Sequence, residues 1–222
     1  MRIIIISFVL LSFLSCKNPP DTWNERIKSF ESDTTKVKES NLIGWKNLEK
    51  EDSSIIISMP YATTDNFLKE KIYPCAKCYL REDAAKALLK AQKLAQSKGY
   101  SIIIYDCYRP LPLQQKMFDI IPDTKYVADP KRGSRHNKGV AVDISLANEI
   151  GEPLNMGTAF DDFSEQAHFS AKNISAKAKA NRKLLRDIML TNDFTPYDNE
   201  WWHFNYKNTD FPNENFVWDC KN

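Results

Sequence analysis

Two short stretches far apart in the chain carry side chains that are useful only in a fold that brings them together. The first is Ser134-Arg135-His136-Asn137-Lys138-Gly139-Val140-Ala141-Val142-Asp143; the second, about sixty residues later, is Glu200-Trp201-Trp202-His203. Two imidazoles and one carboxylate are the protein ligands of an open zinc site, which keeps a position for water or substrate. His136, Asp143 and His203 are therefore the candidate metal ligands, and Glu200, three residues before a ligand, is the candidate proton acceptor for water activated there. Gly139 permits a tight turn between the first two ligands. A single histidine carries little weight, so His168, in Glu165-Gln166-Ala167-His168-Phe169, stays outside the set.

Side-chain alternation sharpens this picture. A strand over residues 140–146 puts Ala141, Asp143 and Ser145 on one face and Val140, Val142 and Ile144 on the other, so Asp143 faces a polar site while its neighbours fill the core. A strand over residues 201–206 puts His203 with Trp201, and Trp202 with Phe204. Continued backward, it would turn Glu200 away from His203, so Glu200 is expected on a turn or bulge at the strand start.

Residues 54–58 and 101–105 are β-branched runs that read as buried strands. Between them, Ala84, Leu88, Ala91 and Ala95 recur at helical spacing over residues 81–98, and Gly99 follows as a stop. Further helices are expected over residues 110–120 and 175–190. Mixed element order and an irregular stretch over residues 122–138 point to an α+β fold: one domain with a small, mostly antiparallel sheet flanked by helices and the zinc site on the sheet.

Residues 1–16 stand apart. Met1-Arg2, an apolar run over residues 3–14, Ser15-Cys16 and then Lys17-Asn18-Pro19-Pro20 have the pattern of a secretory signal too short to span a bilayer. Cys16 resembles the lipid acceptor of a bacterial lipoprotein, with ordinary signal cleavage nearby as the alternative. The chain is thus expected to be exported, to the periplasm or cell envelope, and held to a membrane through Cys16. Residues 17–41 read as a polar tether with a helical turn around residues 23–30, and residues 42–222 as the catalytic domain. Cys75, Cys78, Cys107 and Cys220 remain; Cys75-Ala76-Lys77-Cys78 lacks the second half of a zinc knuckle, so disulfides or buried thiols are expected, with the pairing open. Net charge is +2, from 31 basic and 29 acidic residues without long runs. That leaves no electrostatic footprint for nucleic acid.

Ser134-x-His136-x-x-Gly139-x-Ala141-x-Asp143 and Glu200-x-Trp202-His203 resemble the motifs of the zinc D-alanyl-D-alanine dipeptidases of the VanX type, relatives of D,D-carboxypeptidases and peptidoglycan endolysins. The likeness extends to Tyr61-Ala62-Thr63-Thr64-Asp65-Asn66-Phe67, Asp106-Cys107-Tyr108-Arg109-Pro110 and Met156-Gly157-Thr158-Ala159-Phe160-Asp161, with Cys107 where the pattern has Gly. It implies one Zn²⁺ on His136, Asp143 and His203, Glu200 as general base and then acid, and Arg109 as the cation beside the scissile carbonyl. It also implies Asp161 as partner of the substrate ammonium, with Tyr61 and Ser134 as hydrogen-bonding neighbours. Asp162 is an alternative to Asp161, and both could instead cap a helix starting near residue 163. The implied substrate is D-Ala-D-Ala. A carboxypeptidase acting on stem peptides and a non-catalytic module that binds wall peptides are the alternatives.

Overall fold

Local sequence preferences set most of the elements in the computed structural model, which describes residues 36–37, 41–207 and 210–220. In chain order these are β1 (Lys36–Val37), β2 (Trp45–Asn47), α1 (Leu48–Glu51), β3 (Ile56–Ile57), β4 (Tyr79–Arg81), α2 (Glu82–Gln96) and β5 (Ser101–Asp106). They continue with α3 (Leu111–Ile120), β6 (Ala141–Ala147), α4 (Ala176–Thr191), β7 (Phe194–Tyr197), β8 (Glu200–Tyr206) and β9 (Val217–Trp218). The expected signal peptide, the helical turn near residues 23–30 and Cys16 lie outside the described residues. Within the stretch read as a tether, Lys36–Val37 forms a parallel ladder with Val217–Trp218.

Helix α2 buries Ala84, Leu88, Ala91 and Ala95, the stripe its periodicity marks, against β5. Glu82 and Asp83 in its first turn complement the helix dipole, and Gly99, at φ +81°, follows its end. In α4 the Ser175 hydroxyl caps the start by accepting from the Ala178 amide at 3.1 Å. Its Arg182 is buried and ties down the preceding loop: Nε donates to Met156 O at 2.6 Å, Nη1 to His168 O at 2.8 Å and Nη2 to Gln166 O at 2.9 Å. The loop so anchored carries Asp161.

The main sheet runs β3-β5-β6-β8-β7, with β3 and β5 parallel and the other neighbours antiparallel. This is the α+β architecture the pattern predicts. Every residue of β6 is buried, on the Asp143 face as well as on the face that fills the core. The strand expected over residues 54–58 shortens to Ile56–Ile57, which pair with Ile103–Ile104. Ile55 is buried just before the ladder begins.

Gly139 ends the short 3₁₀ turn His136–Lys138 at φ +68°, and a Cβ there would run into the Trp45 ring. Left-handed strain and overpacking therefore add, and Gly139→Ala should cost about 2–4 kcal/mol, measured by urea denaturation. Because the same turn carries His136, the variant should also bind metal more weakly.

Cys75 and Cys220 form a disulfide, which rules out a zinc knuckle at Cys75 and Cys78; Cys78 and Cys107 are free and buried. Burial pushes both thiols up, leaving them protonated and unreactive.

Candidate active site

The register of two strands builds half of the site. Asp143 of β6 stands directly opposite His203 of β8 on the ladder, which places their Cβ atoms within side-chain reach. Two pairs further on, Ala141 faces Asn205. Asn205 thus shares a face with His203, and its Oδ1 lies 3.0 Å from His203 Nε2. The third ligand candidate, His136, arrives from the turn before β6, with its Nδ1 2.7 Å from the Cys107 carbonyl oxygen.

These two contacts fix the tautomers. The Cys107 carbonyl can only accept, so His136 donates from Nδ1 and keeps its lone pair on Nε2; by the same logic Asn205 leaves the His203 lone pair on Nδ1. The free nitrogens face each other at 3.2 Å, and Asp143 Oδ1 lies 3.4 Å from His136 Nε2 and 2.9 Å from His203 Nδ1. Three acceptors with no donor among them repel unless a cation joins them. Tetrahedral bonds of about 2.0–2.1 Å need donor separations of about 3.3–3.4 Å, close to those observed, so the residues fit a divalent metal. Burial opposes charge on Asp143, and only positive charge beside it, on protonated His136 and His203 or on a cation between the three groups, holds it below the ordinary carboxylate range.

Glu200 begins β8 at a slip in register. Pro196 of β7 pairs with Phe204, yet Tyr197 pairs with Glu200, leaving Trp201, Trp202 and His203 without partners on β7. The slip breaks the alternation that would have turned Glu200 away, and its Oε2 lies 3.9 Å from His203 Nδ1. Burial raises its pKa above the ordinary glutamate value.

Arg109 follows β5, which itself carries an irregularity: Ile104 pairs with Ile144 and Asp106 with Asp143, so Tyr105 is an extra residue. Arg109 is buried and donates to Asp106 Oδ2 from Nε at 3.1 Å and from Nη2, and to Gln114 Oε1 from Nη1 at 2.9 Å. These bonds engage three of the five guanidinium N–H groups, and two remain for the pocket that the side chain lines. Tyr73 donates to Asp106 at 2.6 Å, completing a buried polar cluster.

Asp161 adopts φ +58° and accepts from the Tyr61 hydroxyl at 2.9 Å. Burial raises its pKa well above the ordinary aspartate value. It caps no helix; Asp162 accepts instead from the Ser164 amide at 2.9 Å, and the next helical turn is the 3₁₀ segment Glu165–Ala167. Ser134 lines the same pocket as Tyr61, Arg109, Asp161 and Glu200, a cavity of about 390 Å³. His168 lies outside the metal cluster. Sequence reasoning assigned no role to Asn205, Asp106 or Gln114. Asn205 was within reach of it, since two residues past a strand ligand is the same face.

A trio of metal-ligand type with two members buried, a carboxylate beside it and a cation lining the same small pocket mark a metal-dependent hydrolase on an α+β scaffold. The family model described as D-Ala-D-Ala dipeptidase matches residues 47–219, and the chain belongs to that peptidase family. The D-alanyl-D-alanine dipeptidase of Escherichia coli K12 is 38% identical over 173 residues, 78% of this chain and 86% of the relative. That of Enterococcus faecium is 29% identical over 200 residues, 81% of this chain and 99% of the relative. A third, from Enterococcus faecalis, is 30% identical over 177 residues, 70% of this chain and 88% of the relative.

Proposed function

We propose that the chain is a zinc dipeptidase that hydrolyses D-alanyl-D-alanine to two D-alanines outside the cytoplasm, in turnover of cell-wall peptides. The observation that carries this reading is the convergence of His136, Asp143 and His203 lone pairs beside Glu200 in one small pocket. Family membership and the names of the relatives support the substrate, and D stereochemistry rests on them alone. Bound there, zinc supplies a Lewis acid that polarises a carbonyl and makes water more acidic.

The chain's own groups divide the remaining work. Glu200 takes a proton from the attacking water and returns it to the departing amine. Arg109, fixed by Asp106 and Gln114, presents its two remaining N–H groups to the oxygen on which charge develops. Asp161 meets the substrate ammonium, whose charge offsets the burial that otherwise raises the pKa of this carboxylate. Tyr61 orients Asp161, and Ser134 adds a hydroxyl to the wall. Asp161→Asn should lower kcat/KM on the free dipeptide about 10- to 100-fold, an effect that should vanish on substrates with an acetylated amine.

Export and a lipid anchor on Cys16 extend the proposal. They are supported by the signal-like residues 1–16 and by the Cys75–Cys220 disulfide, a bond that persists in oxidising compartments. Fractionation of cells expressing the full chain tests them. The activity is tested with alanyl dipeptides of both stereochemistries, with free and blocked termini, before and after chelation and zinc restoration. Cleavage of free D-Ala-D-Ala that disappears with the metal and returns with it is the expected outcome. Equal turnover of a stem pentapeptide would favour a carboxypeptidase, and binding without amine release a wall-peptide-binding module.

A further inference from the structure

We propose that residues 210–220 form a strap that holds the His136 turn and Arg109 in place, and that the Cys75–Cys220 disulfide is its latch, so that metal affinity depends on the oxidation state of these two cysteines. The inference rests on reading His136, Asp143 and His203 as a metal site.

The strap touches the backbone next to His136 and next to Arg109. The Glu214 amide donates to Asn137 O at 2.9 Å, immediately after His136, and Glu214 O accepts from the Leu111 amide at 2.9 Å, two residues past Arg109. Phe216 O accepts from the Tyr108 hydroxyl at 3.0 Å, and the two rings stack with centroids 4.3 Å apart. Tyr108 lies between Arg109 and Cys107, whose carbonyl sets the His136 tautomer. Asn137 closes the circuit by donating from Nδ2 to Arg109 O at 2.7 Å and accepting at Oδ1 from the Ser134 amide at 2.6 Å.

Beyond Phe216 the strap is fastened at residues 75–77. Trp218 Nε1 donates to Cys75 O at 3.1 Å, Lys77 Nζ donates to Asp219 O at 2.8 Å, and the disulfide joins Cys220 to Cys75. It links segments 145 residues apart, so its loss leaves the C-terminal end of the strap held by the two hydrogen bonds above and the ladder with Lys36–Val37, and more prone to fray. A second sphere held loosely aims its ligands poorly, and such losses typically lower metal affinity 10- to 100-fold.

The latch closes by thiol–disulfide exchange with a small-molecule disulfide. The Cys75 and Cys220 thiols give up two protons and two electrons as their S–S bond forms, and the small disulfide is reduced to two thiols. A chain kept in reducing conditions is then a weak metal binder, and oxidation completes its site.

The test compares zinc affinity, by competition with a chromophoric chelator, of the oxidised full chain, the same chain reduced with a phosphine and then freed of reductant, and Cys75→Ala/Cys220→Ala. Circular dichroism reports whether each remains folded, and amide exchange at Glu214 reports the strap. Reduced and alanine forms that stay folded, exchange Glu214 faster and bind zinc at least tenfold more weakly are the expected result. Equal affinity in folded oxidised and reduced chains overturns the latch. Absence of zinc binding in every form overturns the metal reading and the latch together. Should the unlatched forms unfold, Tyr108→Phe in the oxidised chain decides: weaker zinc binding with the disulfide intact supports the strap, and unchanged affinity refutes it.

Discussion

Glu200→Gln is expected to reduce kcat on D-Ala-D-Ala about 10³-fold while leaving zinc content and stability near those of the unaltered chain. The change keeps the shape of the side chain and removes only its ability to accept a proton. None of the contacts that fix the ligand lone pairs involves residue 200: His136 depends on Cys107, His203 on Asn205, and Asp143 on both imidazoles. Zinc per chain, by atomic absorption, should therefore stay the same. Burial raises the Glu200 pKa, and a base works only when deprotonated. Activity of the unaltered enzyme should thus be lost as pH falls through a value above the ordinary glutamate figure of about 4.3, and that acid limb should be missing from the variant's residual rate. A variant retaining activity within tenfold of the original would remove Glu200 from the role of base.

Arg109 is the second large effect, and two substitutions separate its duties. Arg109→Ala strands the fully buried Asp106 carboxylate with Tyr73 and the Cys107 amide as its donors and His136 Nδ1 3.8 Å away. Breaking a buried pair from one side costs about 3–5 kcal/mol, so this variant should melt early. Arg109→Lys keeps a positive charge opposite Asp106 but cannot reproduce the fork that reaches Asp106 and Gln114 while keeping donors for the pocket. It should remain folded and lose about 10²- to 10³-fold in kcat. Urea denaturation and steady-state kinetics on both variants check this; a folded lysine variant with full turnover would reduce Arg109 to a structural partner of Asp106.

How far the chain could be read in advance follows from which forces act locally. Strands β5, β6 and β8 and helices α2 and α4 were legible because their apolar spacing is a local property that burial then rewards. Whether Glu200 could face His203 turned on alternation, and the bulge anticipated from that conflict is the slip opposite Tyr197. The pairing of Cys75 with Cys220 was not legible, because it depends on a C-terminal segment crossing back to residues 75–77. Nor was the burial of the Asp143 face of β6, because alternation assigns a residue to a face but does not say what covers it. Asn205 was overlooked for another reason: attention went to ligands, and an amide two residues along a strand has no motif of its own.

The register slip in β8 has a mechanical corollary. Glu200 and His203 ride on one stretch of backbone, whereas Asp143 belongs to the neighbouring strand and His136 to a turn. On the proposed reading, the proton acceptor and one metal ligand therefore share a single backbone segment, while the other two ligands come from separate ones.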